Sequence, residues 1–160
     1  MAKVTNGQVT HRMALDIQHF SKAGLVISEQ HKESDLVVAT GLQFLNRFMF
    51  GVVRPTILVS GFRWTAIGAG ATGVLYGQAS LWHETQRMAH AFVRANGTTG
   101  KAYISCTFNI PVATTLYEVG LFGTLTAKGL PMYCRDTYAV KNVGLGDQVR
   151  VIYTSWFATT

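Results

Sequence analysis

Apolar and polar positions are distributed unevenly along this 160-residue chain. Residues 1–35 are polar and weakly patterned. Lys3, Asn6, Gln8, His11, Arg12, His19, Lys22, Glu29, His31 and Lys32 interrupt any core-forming run, and Gly24-Leu25-Val26-Ile27 is the one short stretch with strand character. This segment reads as an extended N-terminal arm or a β-edge segment. Ser34 or Asp35 then offers a helix cap. Val38, Leu42, Leu45, Phe48 and Met49 follow at three- and four-residue spacings, the apolar face of an amphipathic helix, and Gly51 is a natural stop.

Beyond this point the period changes to two. Thr56-Ile57-Leu58-Val59 has the composition of a short strand, and Phe62-Arg63-Trp64-Thr65-Ala66-Ile67 alternates as a half-buried strand does. Gly68 to Gly77 is a small-residue loop, and Ser80 is placed to cap a single helical turn running through Arg87. Further strands are expected at 88–95, 101–109, 116–122, 131–140 and 147–158. Asn96-Gly97 is a hairpin signal. Pro111 ends the 101–109 strand because proline cannot donate into a ladder. Lys128-Gly129 and Gly144 to Asp147 mark two more turns. The expected fold is mainly β: an antiparallel, jelly-roll-like β-sandwich over residues 36–160, carrying one N-terminal amphipathic helix, preceded by an arm at 1–35.

Composition adds a constraint on the surface. Charged residues are 14% of the chain, against about 25% in ordinary soluble domains. A chain this poor in charge is expected to cover much of its surface with copies of itself or with partners. The net charge of +6 comes from basic residues scattered singly, with no Lys/Arg run and no basic helical stripe, so nucleic acid is not an expected partner. No apolar stretch reaches the roughly 20 residues of a membrane span; Phe44 to Ile67 is broken by Asn46, Arg47, Arg54, Pro55 and Arg63. Met1 to Val9 is polar and unlike a secretory signal, so a reduced, cytoplasmic setting is expected. Cys106 and Cys134 lie in apolar strand-like runs and are expected as small buried hydrophobes. Whether they approach each other is left open.

Catalytic and cofactor motifs are weak. Gly68-Ala69-Gly70-Ala71-Thr72-Gly73 fits G-x-G-x-x-G, but Val74-Leu75-Tyr76-Gly77 is no helix start and no βαβ rhythm follows, so no cofactor is expected. His11, His19, His31, His83 and His90 have no metal-ligand spacing, so no metal is expected. There is no Gly-x-Ser-x-Gly elbow, Cys106 falls mid-strand, and the eight acids show no glycosidase-like pairing, so no catalytic residue is assigned. Four charges stand out for their apolar surroundings: Glu84, Arg87, Glu118 and Arg135. A charge in such a setting is costly unless paired. These residues are expected to form buried or interfacial ion pairs that fix strand and loop positions, the alternative being edge positions that face solvent.

The landmarks occur in a characteristic order: Ile67-Gly68-Ala69-Gly70; Leu81, Glu84 and Arg87 as Leu-x-x-Glu-x-x-Arg; Glu118-Val119-Gly120-Leu121-Phe122; Met132 and Arg135 as Met-x-x-Arg; and Gly146-Asp147 through Tyr153-Thr154 to Trp156. This order, spanning about residues 36–158, resembles structural proteins of tailed-bacteriophage virions, and its first half is similar to the N-terminal region of tail-collar fibre proteins. The resemblance implies a non-enzymatic virion protein, made in the host cytoplasm. Such a protein would assemble in symmetric copies with other virion proteins on the tail, neck or collar. No fibrous extension follows the final strand, so a compact adaptor or fibre-attachment subunit is expected, with capsid decoration as the alternative. A carbohydrate- or receptor-binding module is a further alternative, because Trp64, Trp82, Trp156 and six tyrosines are candidate stacking surfaces.

Overall fold

A computed structural model describes residues 9–34, 64–75, 77–90, 92–96, 101–123 and 132–159. Strands β1 (Val9–Phe20) and β2 (Val26–Ser34) come first. They are followed by β3 (Trp64–Gly68), β4 (Glu84–Ala89), β5 (Phe92–Asn96), β6 (Lys101–Asn109), β7 (Thr114–Phe122), β8 (Met132–Val143) and β9 (Gln148–Thr159). One sheet is ordered β2-β1-β9-β6-β5 and the other β4-β3-β7-β8. All strand pairings among the described residues are antiparallel. The fold is therefore mainly β and sandwich-like. Consecutive strands pair as hairpins within one sheet, and the chain changes sheet between hairpins. This departs from the strand-by-strand alternation of a jelly roll.

Residues 9–34, expected as an arm or a β-edge segment, form a hairpin built into the larger sheet, with β2 at its edge. β1 lies between β2 and β9, paired along its full length from Val9↔Thr159 to Phe20↔Gln148. The reason is a period-two pattern that the intervening polar residues obscure. Met13, Leu15 and Ile17 are buried on one face, while Asp16 and Gln18 between them are half-exposed. No helix occurs among the described residues. The expected helix across Val38 to Met49, the strand Thr56 to Val59 and the Lys128-Gly129 turn lie outside the described residues. The helical turn expected from Ser80 through Arg87 is replaced by strand β4.

The main core forms between the inner faces of the two sheets. Met13, Leu15, Ile17, Cys106, Phe108, Val149, Val151 and Tyr153 come from the five-stranded sheet. Ile67, Leu116, Val119, Leu121, Cys134 and Tyr138 come from the four-stranded one. Cys106 and Cys134 are both free and stand on opposite sheets. Burial raises their thiol pKa values to about 11 and about 12.

Along one seam, edge strands β2 and β8 are joined by side chains rather than by a backbone ladder. Lys32 binds the Asp136 carboxylate and donates to Thr137 O (3.1 Å), the Ala139 amide donates to Gln30 Oε1 (3.2 Å), and Lys141 donates to Ser28 Oγ (2.9 Å). These contacts occupy edge groups that would otherwise be open to another strand.

Three connections meet at one end of the sandwich: β1–β2, β6–β7 and β8–β9. Asp147 joins them. Its carboxylate accepts from the Gly144 amide (2.7 Å) and the Lys22 amide (3.1 Å) and contacts buried His19 Nε2 (2.9 Å). Its backbone oxygen accepts from Ile110 N. Gly146, at φ 84°, makes the turn.

Two pH windows follow from polar groups in hydrogen-bonded contacts. His90, bonded through Nε2 to Thr65 Oγ1, has its pKa pushed from 6.5 to about 4, chiefly by burial. Between those values the unfolded chain binds a proton that the folded chain excludes, so stability falls on acidification through that window. Substitution His90→Gln is expected to flatten this part of a thermal-melting pH profile. Asp147 is held below the usual carboxylate range, first by the Gly144 amide and next by His19. Its contribution is present at neutral pH and is lost as pH falls through its lowered folded value. Substitution Asp147→Asn should therefore lower the melting temperature near pH 7 and leave it unchanged at the acid limit.

Candidate functional site

The outer face of the four-stranded sheet gathers all four charges singled out from sequence. Trp64, Ala66 and Gly68 of β3 lie opposite Phe122, Gly120 and Glu118 of β7, and Gly120 lies opposite Arg135 of β8. Directly opposed residues share a face, so Glu118 and Arg135 point away from the main core. There they meet the segment between β3 and β4, residues 69–83, which folds back over the sheet. A second apolar cluster of Ala66, Leu81, Phe122 and Met132, flanked by Trp64 and Val74, lies beneath that segment.

At its centre is an ion pair, Arg135 Nε to Glu118 Oε2 at 2.7 Å, with both side chains 0% exposed. Glu118 Oε1 also accepts the amides of Gly70 (3.0 Å) and His83 (2.7 Å), and Oε2 that of Trp82 (3.1 Å). Arg135 donates through Nη1 to Gly73 O (3.1 Å) and Gln78 Oε1 (3.2 Å), and through Nη2 to Thr72 O (2.8 Å). The carboxylate thus holds both ends of the segment by their amides. The guanidinium holds its middle by carbonyl oxygens. Desolvating two charges costs several kcal/mol per ion, and these charge-assisted bonds offset that cost.

The glycines of the failed dinucleotide motif serve this pair. A methyl group on Gly70 would overlap Glu118 Oε1 and come within 2.6 Å of Trp82 Cβ. One on Gly68 would overlap His83 O and lie 2.7 Å from Glu118 Oε1. Gly120 leaves room for Leu81, whose Cδ2 would be 2.9 Å from an added Cβ. Gly-x-Gly, Leu81 and Glu-x-Gly-Leu-Phe are therefore parts of one packing arrangement.

Glu84 and Arg87 form the second pair. Arg87 Nε and Nη2 donate to the two Glu84 oxygens at 2.8 and 2.6 Å, and its guanidinium lies 3.7 Å from the Phe122 ring centroid. In a regular strand, residues three apart face opposite sides. Here the register shifts between Ile67 and Gly68, so that Ala66 opposes Arg87 while Gly68 opposes Glu84. This bulge returns both charges to the same face.

Sequence reasoning did not identify Trp82, Gln78, Thr72 or Gly73 as partners of the ion pair. Most of their contributions come from backbone amides and carbonyls, which leave no side-chain signature. It also missed Lys32–Asp136 and His19–Asp147, whose members lie more than a hundred residues apart. Among the described residues no group of three or more metal-ligating side chains occurs. No family model, curated protein or solved structure matches this chain.

Removing one member of the buried pair strands the other. Substitution Glu118→Gln or Arg135→Met alone is expected to cost about 3–5 kcal/mol. For a domain of this size, that lowers the melting temperature by on the order of 10 °C. Gly70→Ala should act in the same direction by forcing Glu118 and Trp82 apart. Differential scanning fluorimetry of the three variants tests this, and melting curves like that of the unsubstituted chain would count against it.

Proposed function

We propose that this chain is a non-enzymatic structural subunit of a tailed-phage virion. It assembles in symmetric copies at the tail, neck or collar as an adaptor or fibre-attachment subunit. The class rests on the resemblance in motif order. Supporting it, the central landmarks, from Gly68 to Arg135, pack together in space as one arrangement around Glu118.

The observation that carries the assembly role is the apolar rim at the end of the sandwich held by Asp147. Leu25, Val26 and Ile27 of the first hairpin, Val112 of the β6–β7 connection and Leu145 of the β8–β9 turn are 54–70% exposed. Such a group, on a chain with few charges, is the signature of a surface that is covered in use. The Asp147 contacts keep the three connections in fixed relative positions, so little ordering entropy is lost on docking.

Light scattering of the purified chain should give a discrete oligomer. Substituting Leu25→Asp together with Leu145→Asp should shift the mass toward the monomer, while circular dichroism stays that of the sandwich. Each buried leucine contributes roughly 1.5–3 kcal/mol, so association should weaken by at least about a hundredfold. An unsubstituted chain that remains monomeric at high concentration would contradict assembly through this rim.

A further inference from the structure

The exposed side of residues 69–83 carries a shallow depression of about 220 Å³ lined by Gln78, Ser80, Leu81 and Trp82. Trp82 is 56% exposed. Its backbone, however, is fixed: its amide donates to Glu118 Oε2, the next amide donates to Glu118 Oε1, and its Cβ is packed against Gly70. Leu81, directly before it, is buried in the outer cluster. The indole is therefore held out in water on a rigid stem.

The opposite wall is held by the other ion. Gln78 Oε1 accepts from Arg135 Nη1 (3.2 Å) and from the Leu75 amide (3.1 Å). Two donors on one oxygen settle the orientation of the carboxamide and leave its NH₂ as the outward group. Among the described residues that NH₂ makes one long contact, 3.4 Å to Ser80 O, so a donor remains for a ligand. Ser80, an exposed residue, adds a hydroxyl to the same lining. Glu118 thus positions the aromatic wall and Arg135 the amide wall.

From this we infer that the depression is a binding site for one ring of a neutral glycan, with the apolar face of a pyranose stacked on Trp82 and its hydroxyls bonded to Gln78 Nε2 and Ser80. A sugar ring is amphipathic in the same sense as this lining, which joins one aromatic face to uncharged polar groups. Among the described residues no ionised side chain lines the depression, which sets an anionic ligand aside. Its volume suits a single ring rather than a docked helix or strand, and the pre-set walls lower the entropic cost of binding. This site lies on the outer face of the smaller sheet and does not depend on assembly through the apolar rim.

The test uses the full chain and a series of neutral oligosaccharides built from glucose, mannose, galactose and N-acetylglucosamine, titrated by calorimetry and by saturation-transfer NMR. At least one member should bind. Affinity should fall at least about tenfold in Trp82→Ala and stay within about threefold in Trp82→Phe. The melting temperature should be unchanged in both, since the indole is exposed. If no member of the series binds, or if binding survives Trp82→Ala, the site is not a glycan site. If instead Trp82→Ala changes the oligomeric mass and no sugar binds, Trp82 belongs to a protein interface and the inference is overturned.

Discussion

One buried carboxylate and one buried guanidinium organise the outer face of this protein. Glu118 and Arg135 meet on adjacent strands with no exposure, and among the described residues their remaining side-chain bonds go to residues 70–83. A segment with so few large apolar residues cannot hold itself on a sheet by hydrophobic burial alone. Leu81 and Val74 supply some contact. The path of the backbone is set by the ions. Three amides converge on the carboxylate, two carbonyls and one carboxamide converge on the guanidinium, and neither ion can be moved without stranding the other. Glycines 68, 70 and 120 are required by how closely this arrangement is packed.

The energetic roles of the two cores differ accordingly. The inner core, built from alternating apolar residues of both sheets, supplies the bulk of the folding free energy through area removed from water. The outer node adds little net stability, because desolvation consumes most of what the ion pair returns. Its contribution is specificity of shape. The Arg87–Glu84 pair and its stacking on Phe122 extend this arrangement to β4. Polar contacts are used in the same way elsewhere. Lys32, Gln30 and Lys141 close the β2–β8 seam, and Asp147 ties three connections at one end.

Much of the β-architecture was legible from local pattern. The 101–109 strand coincides with β6, and the expected strands at 116–122, 131–140 and 147–158 fall within a few residues of β7, β8 and β9. Pro111 and the Gly144–Asp147 turn mark real boundaries. The first hairpin was not legible as such, because the strand that pairs β1 along its full length, β9, lies at the far end of the sequence, and because polar residues such as Asp16, Gln18 and Lys32 obscure the alternation. The helical turn was expected because Ser80 offered a cap; residues 84–89 instead form strand β4, whose bulge brings Glu84 and Arg87 to one face although they sit three apart. The four charges could be identified from their apolar neighbours alone. Their shared face could not, since it depends on strand register, which the sequence pattern alone does not specify.

The central claim is that the Glu118–Arg135 pair determines the position of the 69–83 segment more than it stabilises the sandwich. The most direct test is amide hydrogen exchange in the unsubstituted chain and in a Glu118→Leu/Arg135→Met double variant. This variant removes both charges at once and leaves no unpaired ion. The account predicts a melting temperature within a few degrees of the original, because apolar replacement of a buried pair is close to neutral. It also predicts exchange at Gly70, Trp82 and His83 faster by about a hundredfold or more, with the amides of β1, β6 and β9 still protected. Unchanged protection of those three amides in a folded double variant would contradict the account.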